Sequence, residues 1–143
     1  MIVLDTNVIS ELMRPAPSLV VIDWVDQQIA TDLHLASTTV AELLYGIARL
    51  PVGSRRSNLA DQVEVMITTD FQQRVLPFDL TAAPHYADIA AARATAGRPI
   101  GAADAQIAAT CRSHGATLAT RSTKDFDDTG ITIINPWKHT PVG

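Results

Sequence analysis

The stretch Met1–Arg14, MIVLDTNVISELMR, decides how the rest of the chain is read. Ile2, Val3 and Leu4 form an unbroken apolar run. Asp5, Thr6 and Asn7 follow at once, and Val8, Ile9, Leu12 and Met13 then recur at helical spacing. An apolar run closed by polar residues and followed by a helical period predicts a buried parallel strand feeding a helix. Asp5 then stands at the carboxyl end of that strand, the edge where open α/β sheets bind ligands. Asp and Thr are also favoured helix N-caps, so Asp5 or Thr6 reads equally well as a cap. Which other acids can join Asp5 decides between the two.

Outward from that stretch, composition sets the bounds. The 143 residues suffice for one domain with a real core. An apolar content of 47% argues against disorder, and with only 5% aromatic residues the core must be filled by Ala, Val, Leu and Ile. A formal charge of −4 predicts no general attraction to nucleic acid or to an anionic membrane. Contact with nucleic acid therefore needs local Arg clusters or bound metal. Twelve acids are Asp and three are Glu (Glu11, Glu42, Glu64), and Asp, the poorer helix former, belongs in caps, loops or sites. Cys111 is alone, so no internal disulfide forms and a reducing compartment is expected. It shares an apolar helical face with Ile107 and Ala108, which gives it a core role rather than that of a nucleophile. The amino end lacks a basic region, and no apolar run approaches the roughly 20 residues of a membrane span. A soluble, cytoplasmic protein is expected.

The remaining chain alternates strands with helices. Helix one, 6–13, is broken by Pro15 and Pro17. A second helix, 18–30, is capped by Ser18. Leu33–Ala36 is a strand, Ser37, Thr38 and Thr39 offer caps, and a third helix runs over 39–50. After the turn 51–54 comes a long helix, 55–73. The segment 74–79, RVLPFD, is a strand that Pro77 places at the sheet edge. An Ala-rich helix over 81–96, a rigid loop at 97–101, a helix over 102–113, and strands at 117–119 and 131–134 complete the domain, and 138–143 reads as a loose tail. Alternation of this kind means a parallel sheet covered on both faces.

Three acids can join Asp5. Glu42 lies opposite the apolar face of Val40, Leu43, Leu44 and Ile47, near the same sheet edge. A solvated helix surface is its plain reading. Gly46, one turn later, costs about 1 kcal/mol against Ala inside a helix, which suggests close approach by another group. Asp104 shares a face with Ile107, Ala108 and Cys111. The helix dipole favours an acid in a first turn, but a carboxylate on a core-facing side is costly unless paired or metal-bound. Asp125 follows the strand 117–119 in a polar segment, whereas Asp127 and Asp128 read as a solvated turn before Gly130. Several carboxylates brought together need compensation. Oxygen-only donors select Mg²⁺, with Mn²⁺ as a substitute, over zinc. Carboxylate-held Mg²⁺ suits phosphodiester hydrolysis.

At this point a family resemblance becomes specific. MIVLDTNVISELMR, TTVAELLYGIARL in the third helix, IGAADAQIAA, LATRSTKDF and the closing INPW together resemble the PIN-domain nucleases, especially the VapC/FitB-type toxins of toxin–antitoxin pairs. The pieces fall in family order over essentially the whole chain. The resemblance implies a doubly wound parallel sheet of about five strands, and an endoribonuclease whose metal site is Asp5, Glu42, Asp104 and Asp125. It gives Thr6 a role in orienting Asp5. Many members carry Asn where this chain has Ser122, a shorter residue that keeps a hydrogen-bonding oxygen. The resemblance also implies a homodimer held inactive by a small antitoxin that presents Arg to the acidic groove. Arg14, Arg98, Arg121 and Lys124 are the candidate RNA phosphate contacts, since phosphate affinity needs cations. Two other readings stay open. One is a catalytically silent PIN-like module that binds RNA or a partner. The other is an aspartyl-phosphate phosphotransfer domain, against which Asn7 stands where the dehalogenase pattern wants Asp.

Overall fold

The computed structural model describes residues 1–141. Five strands, β1 (Ile2–Leu4), β2 (Leu33–Ala36), β3 (Val75–Leu76), β4 (Thr117–Ala119) and β5 (Ile133–Ile134), form one sheet in the order β3-β2-β1-β4-β5. Every pairing is parallel, with Ile2 opposite both Leu33 and Thr117. Six helices flank it: α1 (Thr6–Leu12), α2 (Leu19–Asp26), α3 (Ser37–Ala48), α4 (Ser54–Val65), α5 (Ala83–Thr95) and α6 (Ala102–His114). This is the doubly wound parallel sheet that the alternation of strands and helices predicts.

The period of two along each strand sorts the core into two layers. Val3, Ala36 and Leu118 face one way, against Ile89 of α5 and Ile107, Ala108 and Cys111 of α6. Leu4, Leu35 and Ala119 face the other way, against Val8, Ile9, Val21, Trp24, Leu43 and Val63 of α1–α4 and Met66 just beyond α4. Each fully buried Leu or Ile contributes about 1.5–3 kcal/mol, so the strands can be short because both faces are covered. Cys111 is completely buried and its thiol is pushed up to about 12, chiefly by burial, as its core role requires.

The chain runs β1, β2, β3 toward one edge, then returns through α5 and α6 to place β4 and β5 on the other side of β1. The order therefore reverses between the carboxyl ends of β1 and β4. At that point the Asp5 N–H donates to the Ala119 carbonyl at 2.9 Å. Such a reversal opens a crevice in a doubly wound sheet.

Several element ends differ from the sequence reading. α2 stops at Asp26, because Ile29, the next apolar position, is 69% exposed and gains nothing by continuing the helix. α3 begins at Ser37, so Thr38 and Thr39 are buried in its first turn rather than capping it. The Ser37 hydroxyl instead accepts from the Phe78 N–H at 3.3 Å, just beyond β3, which lies at the edge as Pro77 requires. The long helix expected over 55–73 is α4 followed by a π turn, Met66–Asp70, closed by the Phe71 N–H on the Met66 carbonyl at 2.8 Å. At the carboxyl end, Pro136–Lys138 forms a 3-10 turn, and His139 Nε2 meets Asp23 Oδ2 of α2 at 2.8 Å. Lys138 and His139 are thus held rather than loose, while 142–143 lie outside the described residues. Among the described residues no helix is long and apolar enough to cross a membrane.

Candidate active site

Asp5 is both a cap and a cleft residue. It is the extended N-cap of α1, its Oδ1 accepting from the Thr6 N–H at 2.8 Å. Its Oδ2 accepts from the Thr120 hydroxyl at 2.7 Å, and the residue is only 5% exposed. Burial raises its pKa above the ordinary carboxylate value. The bonds from Thr120 and Thr6 oppose that rise, and the charges of Glu42 and Asp125 add to it.

The other three carboxylates come from separate elements. Glu42 sits in the second turn of α3, not the first, because the helix starts earlier than the Thr pattern suggests. Its Oε1 accepts from the Thr6 hydroxyl at 2.7 Å, which ties α3 to the start of α1. Asp104 is in the first turn of α6, on the face of the fully buried Ile107, Ala108 and Cys111. Its carboxyl is pushed up to about 6, first by burial and then by Asp5, Asp125 and Glu42, against a downward pull from Arg93. Asp125 lies in the 3-10 turn Thr123–Phe126 after β4.

All four line one cleft of about 530 Å³, together with Thr6, Glu11, Arg14, Arg121, Ser122 and Trp137. Neither histidine nor cysteine lines it. Among the described residues no three carboxylate, imidazole or thiol groups are gathered closely enough to form a metal site as they stand. The donor set nevertheless fits a hard divalent cation. It is all oxygen, and two of its carboxyls are held above their ordinary range by burial and mutual repulsion, which a cation would relieve.

A polar network fixes the floor of the cleft. Asn7 Nδ2 donates to the Thr120 and Ser122 hydroxyl oxygens, each at 3.2 Å, and Asn7 Oδ1 accepts from the Arg121 N–H at 3.3 Å. The Ser122 N–H also donates to Thr120 Oγ1 at 3.0 Å. Asn7 therefore fastens the segment after β4 to the first turn of α1, and Thr120 passes that restraint on to Asp5.

The sequence pattern of the PIN domain family matches residues 2–131. The chain belongs to the PIN-domain family. It is 48% identical over 138 residues to the VapC ribonuclease Y4jK of Sinorhizobium fredii, covering 96% of this chain and 99% of the relative. It is 44% identical over 137 residues to the toxin FitB of Neisseria gonorrhoeae, with coverage of 96% and 99%. A chain in the structure of FitAB bound to an IR36 DNA fragment superposes with a TM-score of 0.90 at 43% identity, over 98% of each chain.

Within this PIN domain the four basic residues singled out from the sequence divide. Arg14 and Arg121 line the acidic cleft. Arg14 pairs with the buried Glu11 at 3.3 Å, and the Arg121 guanidinium lies over the Trp137 ring, 5.1 Å from its centroid. Arg98 is engaged by Asp128, and neither it nor Lys124 lines the cleft. No atom of this chain outside its own helix and chain neighbours lies within 4 Å of the place a Gly46 Cβ would take, so no other part of the chain makes the close approach. Gly46 instead lines a second cleft of about 760 Å³, walled by apolar residues such as Met13, Leu43, Ile47 and Leu59. The two clefts share Thr6, Ser10, Arg14 and Glu42. Sequence reasoning missed Asn7, Ser10, Glu11 and Trp137 as cleft residues, and Thr120 as the partner of Asp5. The only local signals were that Thr120 directly follows β4 and that Asn7 lies in the first turn of the helix after β1.

Proposed function

We propose that this PIN domain is the toxin of a toxin–antitoxin pair and a metal-dependent endoribonuclease that hydrolyses RNA phosphodiester bonds. The observation that carries the reading is the convergence of Asp5, Glu42, Asp104 and Asp125, from four separate elements, on one cleft at the strand-order reversal. The relatives named ribonuclease and toxin support the same activity.

Asp5 and Asp104 would hold Mg²⁺ or Mn²⁺, with Glu42 and Asp125 as further ligands or as partners of the ligands. When bound, such a cation supplies Lewis acidity toward the phosphate and a water nucleophile near neutral pH. The chain does the rest. Thr120 and the Thr6 N–H fix both oxygens of Asp5, and the Thr6 hydroxyl fixes Glu42. Arg14 and Arg121 stand at the rim as the cations that meet neighbouring phosphates. Ser122 completes the network that orients the floor.

A small antitoxin would close the site by seating an apolar segment in the second cleft and offering a cation to the carboxylates next door. The residues shared by the two clefts make that reach short. The protein acts in the cytoplasm as a homodimer on this reading. The test uses protein stripped of any antitoxin, incubated with total bacterial RNA in Mg²⁺, in Mn²⁺ and in EDTA, beside Asp5→Asn and Asp104→Asn. Discrete fragments are expected only with metal and only from the wild type. Cleavage that persists in a folded Asp104→Asn protein would overturn the assignment.

A further inference from the structure

Arg93, in the last turn of α5, is only 7% exposed and belongs to no ion pair among the described residues. A buried guanidinium without a carboxylate partner is costly unless its N–H groups are satisfied. Here the partners of its N–H groups are all backbone carbonyls. Nε donates to the Arg98 carbonyl at 2.7 Å, and one terminal nitrogen donates to the carbonyls of Asp125 and Asp127, each at 3.0 Å.

Those carbonyls belong to two segments that carry cleft carboxylates. Arg98 lies in the loop that runs into α6, whose first turn holds Asp104. Asp125 and Asp127 lie in and just after the 3-10 turn that follows β4. The side chains of Arg98 and Asp128 tie the same loop to the same turn a second time, at the surface. On the inner side of the turn, Phe126 is 1% exposed in the core. One side chain thus fixes the backbone on which Asp104 and Asp125 approach each other, and its charge reaches Asp104 as well.

We propose that Arg93 is the positioning residue for Asp125, so that cation affinity depends on it through that carboxylate. This rests on the reading that the cluster holds a divalent cation. Lysine keeps the charge at this position but cannot span three carbonyls, because it lacks the planar fork of guanidinium donors.

The experiment is Mn²⁺ binding to the metal-free full chain, followed by calorimetry and by the loss of the free Mn²⁺ paramagnetic signal. The proteins are wild type, Arg93→Lys, Asp104→Asn, Asp125→Asn and the Arg93→Lys, Asp125→Asn double variant, each with a melting curve. Arg93→Lys is expected to weaken Mn²⁺ binding by about tenfold or more, the scale on which partners of metal ligands act. In the Asp125→Asn background the same change is expected to cost less than about twofold, since the residue it positions is already lost. Equal losses in both backgrounds would show a general structural role and overturn the proposal. So would unchanged Mn²⁺ affinity in Arg93→Lys while Asp125→Asn binds weakly. If neither Asp104→Asn nor Asp125→Asn alters Mn²⁺ binding, the cation-site reading itself fails, and the proposal with it. Should Arg93→Lys not fold, Arg93→Gln, which keeps two N–H donors without the charge, carries the same comparison.

Discussion

Asp104 stands among completely buried neighbours, and its carboxyl is pushed up from 3.8 to about 6. Between those two pH values the folded chain binds more protons at this site than the unfolded chain does. Stability therefore falls as pH rises through that window, and the full penalty is present above it. After allowance for solvent screening, the penalty is about 1–2 kcal/mol. Asp104→Asn removes it. In EDTA at pH 7.5 the variant is expected to melt about 3–8 °C above the wild type, with the gap closing below about pH 4. Saturating Mn²⁺ should reverse the order, because only the wild type gains from the cation. Equal melting temperatures at pH 7.5 in EDTA would contradict the burial argument. Thr120 poses the opposite case. Its hydroxyl donates to Asp5 and accepts from Asn7 and from the Ser122 N–H. Thr120→Val keeps the shape and strands all three partners, an expected cost of about 1–3 kcal/mol in denaturant unfolding. Thr120→Ser should recover most of it. At this scale Asp5, Asp104 and Asp125 were legible as cleft residues, because each follows a strand or sits on an apolar helix face. Glu42, on the polar face of α3, had only its nearness to the sheet edge to mark it. Thr120 was not legible, because its partner Asp5 lies 115 residues away and no local pattern marks such a bond.

The helices were legible where an apolar period met a capping signal, and their ends were misplaced where it did not. Ser18 marked the start of α2 correctly, since its hydroxyl accepts from the Val21 N–H. The run of Ser37, Thr38 and Thr39 offered three caps, and none caps α3 by its side chain, because burial of Thr38 and Thr39 draws them into the first turn. Leu44, counted with the inward face, is 45% exposed, since the apolar stripe of α3 is narrower than its leucines suggest. The π turn after α4 has no signature in a hydrophobic period. The end of α6 is the clearest element boundary. Gly115 closes it in the left-handed region at φ 62°, and the Ala116 N–H returns to the Cys111 carbonyl at 2.9 Å. A Cβ there meets no clash, so the cost of Gly115→Ala is the backbone strain alone, about 1 kcal/mol. A drop of about 2–5 °C in melting temperature is expected, with Mn²⁺ affinity unchanged, because this end of α6 is remote from Asp104. Loss of Mn²⁺ binding would show that strain at Gly115 travels along α6 to the cleft.

On the scale of the molecule, the reversal of strand order brings the start of the chain beside residues 120–125, which no local reading of either segment could join. The alternation of strands and helices was enough to predict that such a crevice exists. It was not enough to say which cations reach it, because Lys124 is nearer to Asp125 in sequence than Arg121 is, and Arg98 stands shortly before Asp104, yet neither lines it. That selection has a consequence for RNA binding. The chain carries a net charge of −4, so a general field does not attract RNA, and only Arg14 and Arg121 border the acidic cleft. Counterion release from a single strand gives a slope of about −0.7 in log K against log salt for each phosphate neutralised. Two contacts predict a slope of about −1.4, shallow for a nucleic-acid-binding protein. Anisotropy titrations of a short single-stranded RNA in EDTA, which on the proposed reading stops cleavage, measure it. Arg14→Ala and Arg121→Ala should each make the slope about 0.7 shallower, while Arg98→Ala and Lys124→Ala should leave it unchanged. A wild-type slope steeper than about −3 would mean that RNA lies across cations outside the cleft, with the adjacent pair Arg55 and Arg56 the first to replace.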